Sequence, residues 1–248
     1  MTSTAAAMHT LRTPHRRTKG PAVRELAGAI SGVVAATALV VATCILSSTP
    51  SVNSTPAAVR GYLANHYTVT TAAAYTTVIA ALLLVPFLAS LRSFTSRRTD
   101  VGQWRLTVTL VVGAIGVAML SLAGAMLATA TVLADRSSAG EAVFAVFVAT
   151  KLLATLALLP VAGLVLANAR TIATTNRRPD RWLIRFDTQI AVIAVVVGIA
   201  SFVDHDWVAP GGPATATVWL LVALWVFALA RTIAGGHGRH STLEEGTP

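Results

Sequence analysis

The fold class this sequence predicts is all-α, a polytopic transmembrane bundle of about six spans with both termini on the cytoplasmic side. Three observations predict it. Hydrophobic residues make up 54% of the 248 residues and charged residues only 12%, about half the charge of an average soluble domain. The apolar residues gather in uncharged runs long enough to cross roughly 30 Å of hydrocarbon at about 1.5 Å per residue. The basic residues concentrate in alternate connections, as the orientation of membrane helices requires.

Residues 1–24 form a basic tail with Arg12, Arg16, Arg17, Lys19 and Arg24. It has no apolar periodicity and is expected to be a disordered cytoplasmic segment. The transmembrane domain is expected over 25–234, with spans at about 26–46, 69–91, 106–133, 142–167, 183–203 and 214–230, followed by a disordered tail over 235–248. The first block, Leu26 to Leu46, is too long for a signal peptide and lacks a small-residue cleavage site, so it reads as a retained helix. Val41-Ala42-Thr43-Cys44 has the outline of a lipidation box. Thr43 is large for the position before the cysteine, however, and Ile45-Leu46 continues the apolar run. The fifth span is the shortest, because Arg185 and Asp187 occupy its first turns. Arg185 can snorkel to the interface and Trp182 suits an interfacial belt.

Counting basic residues fixes the orientation. Sixteen lie in the two tails and in the second and fourth connections, including Arg92, Arg97, Arg98, Arg105, Arg170, Arg177, Arg178 and Arg181. Only Arg60 and Arg136 lie in the other three connections, and Lys151 falls inside a span. The net charge of +9 is therefore topological. It is not the basic face of a nucleic-acid reader, and no nucleic-acid partner is expected. The expected partners are the bilayer itself and anionic lipids at the cytoplasmic face. Ala, Val, Thr and Arg dominate, which suggests a GC-rich bacterial genome and a bacterial cytoplasmic membrane.

Lys151 is the candidate functional residue. It lies nine positions into the fourth span, about 13 Å below that span's outer end. A lysine near the bilayer centre costs about 2.5–3.5 kcal/mol on insertion scales, so something should offset it. Thr155, one turn further in, and carbonyls freed near Pro160 are the expected partners. Two readings stand: a titratable group facing a water-filled cavity, or a side chain that snorkels outward. Pro86 and Pro160 are candidate helix kinks, since each removes a backbone hydrogen bond. Gly28 and Gly32 form a GxxxG that suits close helix packing within the bundle. Both prolines precede a basic connection, Arg97-Arg98-Thr99-Asp100 and Arg177-Arg178-Pro179-Asp180, a faint internal echo of the sort transporters show.

Asp204-His205-Asp206 lies in an outward connection, where consecutive residues converge poorly on one ion. With Pro210-Gly211-Gly212-Pro213 it reads as a solvated loop. His237 and His240 lie in a glycine-rich tail, and Cys44 is the single cysteine, so no metal site and no cofactor is expected. In the first outward connection, residues 56–66 read as a short helix capped by Thr55 with Pro56 at its first position. Val59, Tyr62 and Leu63 share one face, as in a helix lying on the outer membrane surface.

The order of a basic tail, a span, a Ser/Pro loop, a Val59-x-x-Tyr62-Leu63-x-x-His66 helix and a span ending Phe87-Leu88-x-x-Leu91-Arg92 resembles uncharacterised six-span membrane proteins of GC-rich bacteria, grouped as domains of unknown function. Arg181-Trp182-Leu183-Ile184 is similar to their inner-loop signature. The resemblance covers roughly residues 22 to 235 and implies architecture; it brings no activity and no catalytic residue. An enzyme is not expected, because the span cores lack the Ser/His, paired-Asp or His/Glu constellations of intramembrane hydrolases. A small secondary transporter or permease built around Lys151 is the alternative, against which stands the lack of intramembrane carboxylates and of a broken helix. A structural, accessory or interaction protein of the membrane is the favoured class.

Overall fold

Each apolar run forms a helix, and the helices overrun the runs, because intrahelical hydrogen bonds persist where a chain leaves hydrocarbon for the interface. The computed structural model describes residues 20–98, 103–136, 140–175, 181–202 and 207–244. All eight regular elements among them are helices: α1 (Gly20–Leu46), α2 (Pro56–Asn65), α3 (Tyr67–Arg98), α4 (Gln103–Arg136), α5 (Gly140–Leu156), α6 (Leu158–Thr175), α7 (Arg181–Ala200) and α8 (Pro213–Glu244). Two expected boundaries are corrected. α1 begins inside the segment read as the N-terminal tail, and α8 continues to Glu244 through most of the segment read as the C-terminal tail. Once an apolar span has nucleated a helix, each further residue adds a hydrogen bond at little cost. Residues 1–19 and 245–248 lie outside the described residues, so the tail expectations for them are not addressed.

Five helices are long and apolar enough to cross a membrane: Glu25–Leu46, Tyr67–Ser96, Leu106–Arg136, Gly140–Thr171 and Pro213–Ala234. The fourth joins α5 and α6. α7 lies outside this set. It is 20 residues long, about 30 Å, and carries Arg185 and Asp187 in its first turns. The chain is thus compatible with a multi-pass membrane protein.

The helices close a ring in chain order. α1 packs on α3, α3 on α4, α4 on α5 and α6, α6 on α7, α7 on α8, and α8 returns to α1. The outside of the ring carries exposed apolar residues at helical spacing, such as Ile30 and Val34 on α1, Tyr75, Ile79 and Leu82 on α3, and Leu220, Leu224 and Phe227 on α8. Soluble proteins rarely leave such continuous apolar faces uncovered. α7 has one too: Val192, Val196 and Ile199, followed by Phe202 just past its end, are all exposed. Phe87, Leu158, Val218 and Trp225 fill the inside.

The α1–α3 contact explains the GxxxG. A Cβ at Gly28 would stand 1.5 Å from Ser90 Oγ and 2.9 Å from the Pro86 carbonyl oxygen, and one at Gly32 would stand 2.5 Å from the Phe87 ring. Both glycines let α3 approach α1 at backbone distance. Replacing Gly28 or Gly32 with Leu should lower the unfolding temperature of the detergent-solubilised protein, the overpacking costing about 1–3 kcal/mol or more. Gly61→Ala should not lower it, since nothing lies within 4 Å of that position and alanine favours the helix by about 0.5–1 kcal/mol.

Candidate functional site

The site is assembled at the end of the ring where α1 finishes and α8 begins. Above it lies α2, capped by Thr55, whose hydroxyl accepts the Ala58 N–H at 3.3 Å. Val59 and Leu63 are fully buried against Leu127, Val143 and Phe147. The apolar face of α2 therefore rests on α4 and α5, not on the membrane surface expected from its amphipathic pattern. A short amphipathic helix needs an apolar partner, and here the bundle's own end supplies it. The Tyr62 and His66 rings stack at 4.3 Å, and the Tyr62 hydroxyl reaches Ser48 at 3.3 Å, tying α2 to the chain leaving α1.

Beneath this cover lies Lys151, only 8% exposed. Its ammonium donates to Thr49 Oγ1 at 2.6 Å and to the Gly211 carbonyl at 3.4 Å. It also stands 5.3 Å from the centre of the Phe147 ring, within cation–π range. Thr49 passes the interaction on, donating to the Leu46 carbonyl at 2.6 Å. Leu46 is the last residue of α1, at the helix end that carries partial negative charge, and its carbonyl also accepts the Thr49 N–H at 3.2 Å. The lysine therefore snorkels inside the protein, from mid-helix up to the turns at the ring's end. Neither expected partner receives its ammonium. Thr155 instead donates to the Lys151 carbonyl at 2.9 Å and accepts the Gly211 N–H at 3.1 Å. One turn of α5 thus grips a single glycine by both its backbone polar groups.

That glycine belongs to the turn read from sequence as solvated: Pro210, Gly211 and Gly212 are half-buried and Pro213 is exposed, so the correction is confined to the side of the turn that meets α5. The Gly212 N–H donates to the Ala209 carbonyl at 2.8 Å, and Gly211 has φ +70°, the pattern of a type II turn with Pro210 and Gly211 at its centre. Ala209 is buried. A Cβ on Gly211 would stand 2.1 Å from Lys151 Cδ, so both its conformation and its proximity to the lysine stem demand glycine. Asp204-His205-Asp206 lies outside the described residues.

A cavity of about 80 Å³ opens beside Lys151, bounded by α1, α3, α4, α5 and α8 toward the end of the ring where α1 finishes. Its walls are almost wholly apolar, with Leu39, Leu120 and Leu127 among them, and Thr150, Lys151 and Thr215 also line it. Two smaller voids continue the line. One of about 30 Å³ lies between Leu120, Trp219, Leu88 and Leu164, and one of about 20 Å³ lies beyond Leu88 and Leu164, beside Arg92 and Asn168.

Pro160 and Pro86 act differently. The fourth span is divided at Ala157, between α5 and α6, although hydrogen bonds bridge the division from Ala157 N–H to Leu153 and from Val161 N–H to Ala157. The segment still forms one apolar span, Gly140–Thr171, and the one-residue interruption lies where Pro160 lacks the N–H that would reach back one turn. The nearby Ala154 carbonyl accepts the Trp219 indole N–H at 3.2 Å. α3 runs unbroken through Pro86.

A second polar cluster escaped the sequence reading, which left Asp187 at an interface. Asp187 is fully buried. Asn168 Nδ2 donates to one carboxylate oxygen at 3.1 Å and Trp225 Nε1 to the other at 3.0 Å, joining α6, α7 and α8. A signal existed: Trp225 sits in mid-span, away from the interfacial belt, where an indole N–H needs a partner. Glu25 is buried as well, and accepts from the Ser93 hydroxyl at 3.2 Å.

Among the described residues no three His, Cys, Asp or Glu side chains gather to hold a metal. Comparison of the chain with family models, with curated proteins and with solved structures finds no match. Trp225→Phe should leave one oxygen of Asp187 without its donor and lower stability by about 1–3 kcal/mol, measured by thermal unfolding in detergent. The neighbouring Trp219→Phe frees only a carbonyl and should cost less.

Proposed function

We propose that this chain is a non-enzymatic, structural, accessory or interaction protein of a bacterial cytoplasmic membrane. It has six spans, α7 being the fifth, and cytoplasmic termini. The observation that carries the reading is the engagement of Lys151, whose buried charge fastens α5 to the end of α1 and to the turn before α8. A charge so occupied holds helices together; a relay would need a titrating partner within reach. The exposed row Val192, Val196, Ile199 and Phe202 supports α7 as a lipid-facing span. Basic residues on the proposed inner side, Arg92 and Arg170 among them, suit anionic headgroups.

A second reading, a small permease, is favoured by one observation: three voids stacked along the ring between Lys151 and Arg92. Leu120 with Trp219, and Leu88 with Leu164, separate them. A route would open there.

Single cysteines in a Cys44→Ser background distinguish the readings and test the topology. Ser54→Cys should react with a membrane-impermeant maleimide in intact cells, and Ser3→Cys and Thr247→Cys only in inverted vesicles. Lys151→Cys should react from neither side. Labelling of position 151 comparable to that of position 54 would establish an aqueous path and replace the accessory reading with transport.

A further inference from the structure

α6 and α7 pack antiparallel, and two contacts fix their register. The Asn168 side-chain amide donates to Asp187 at 3.1 Å, and Gly198 lies against Leu159, whose Cδ2 a Cβ there would meet at 3.0 Å. Between these two levels the exposed seam of the pair is hollow. A groove of about 470 Å³ runs along it, floored by the buried Ala162 and Ala191 and walled by the exposed Leu159, Leu166, Val192 and Val196. From Leu159 to Leu166 it extends about 10 Å, enough for part of an acyl chain.

The exposed row on each helix changes character toward the same end. On α6 it reads Leu159, Gly163, Leu166 and Arg170; on α7 it reads Val196, Val192, Gln189 and Arg185. Both rows step by four, three and four residues, which keeps each on one helix face. Arg170 and Arg185 each lie two residues beyond the Asn168–Asp187 hydrogen bond. They therefore stand level, about 3 Å further along the pair. Gln189 places an amide between the valines and Arg185, about 6 Å short of the arginine.

An apolar groove, then an amide, then two guanidinium groups at one level is the order of chemistry along a phospholipid: acyl chain, ester-linked glycerol, phosphate. Ester carbonyls accept from an amide, and guanidinium forks match phosphate oxygens. Two positive charges favour a headgroup with net negative charge over a zwitterionic one, whose cation they repel.

We propose that the α6–α7 groove holds one anionic phospholipid, an acyl chain between the two apolar rows and the phosphate on Arg170 and Arg185. The site rests on the reading of α7 as a membrane span and narrows the general attraction to anionic headgroups to one place on the bundle. Lodged there, the lipid completes the seam between α6 and α7.

The test titrates the full chain in detergent micelles with phosphatidylglycerol or phosphatidylcholine of the same short acyl chains. Native mass spectrometry counts bound lipid, and unfolding temperature is the second readout. Phosphatidylglycerol should bind one per chain and raise the unfolding temperature saturably, and phosphatidylcholine should bind about tenfold more weakly. Arg170→Gln and Arg185→Gln should each weaken phosphatidylglycerol about fivefold, or about 1 kcal/mol. Arg92→Gln, which removes the same charge from an exposed position of α3 outside the groove, should leave the affinity unchanged. Val196→Trp, which fills the groove from an exposed position, should weaken both lipids. Equal binding of the two lipids, or equal losses in Arg92→Gln and Arg185→Gln, would overturn the proposal. So would a dimer that binds no phosphatidylglycerol and that Val196→Trp dissociates, which would give the groove to a second copy of the chain. The span reading has its own readout: Val192→Cys in a Cys44→Ser background should resist a membrane-impermeant maleimide in intact cells and inverted vesicles. Labelling there would overturn the span and the lipid site together, whereas protection of position 192 without a preference for phosphatidylglycerol would overturn the lipid site alone.

Discussion

A lysine ammonium that leaves water must recover its hydration from the protein, and the outer end of this molecule is organised around that demand. Lys151 reaches it by directing its stem along the inside of the bundle to the Thr49 hydroxyl, the Gly211 carbonyl and the Phe147 ring. Each contact enlists a different segment: the chain leaving α1, the turn before α8, and α5 itself. The C-terminal carbonyls of α1 gain a positive partner through Thr49, and the Ala209–Gly212 turn is held against α5 by both polar groups of Gly211. The chain leaving α1 and the turn before α8 are thereby fastened to α5 at the end of a ring that α8 closes by packing on α1.

The same rule, that buried polar groups find partners when the surroundings offer no water, explains the other half of the molecule. Asp187 would exclude α7 from a bilayer if it faced lipid. Inside the ring, with one donor on each carboxylate oxygen from Asn168 and Trp225, it joins three helices. Lys151 near one end and Asp187 toward the other thus clamp opposite parts of the bundle, while Gly28 and Gly32 of α1 let it pack closely on the last turns of α3's apolar run.

Much of the helical architecture was legible in the sequence, because uncharged runs of about twenty residues leave few alternatives. The short helix 56–66 was legible too, through Thr55 and Pro56. Less legible was the environment of the polar residues, since hydropathy measures how apolar a segment is and says nothing about which face meets protein. Asp187 looked interfacial because it stands next to Arg185 in sequence; the helix turns it inward. Pro210-Gly211-Gly212-Pro213 looked solvated because such turns commonly are. Its glycines, however, also let backbone reach a lysine stem, and that use depends on α5, some sixty residues away. The face of α2 was assigned correctly as apolar but to the wrong apolar surface. Periodicity alone does not distinguish lipid from a neighbouring helix.

The most direct measurement of the central interaction is a double-mutant cycle on thermal unfolding, with Lys151→Met, Thr49→Val and the combination in the detergent-solubilised protein. If Lys151 is held by the turn after α1, the two substitutions should couple by about 1 kcal/mol or more, toward the upper end for interhelical hydrogen bonds in membrane proteins. Effects that add to within about 0.3–0.5 kcal/mol would show that the ammonium does not depend on Thr49, and would contradict the fastening of α5 to the end of α1.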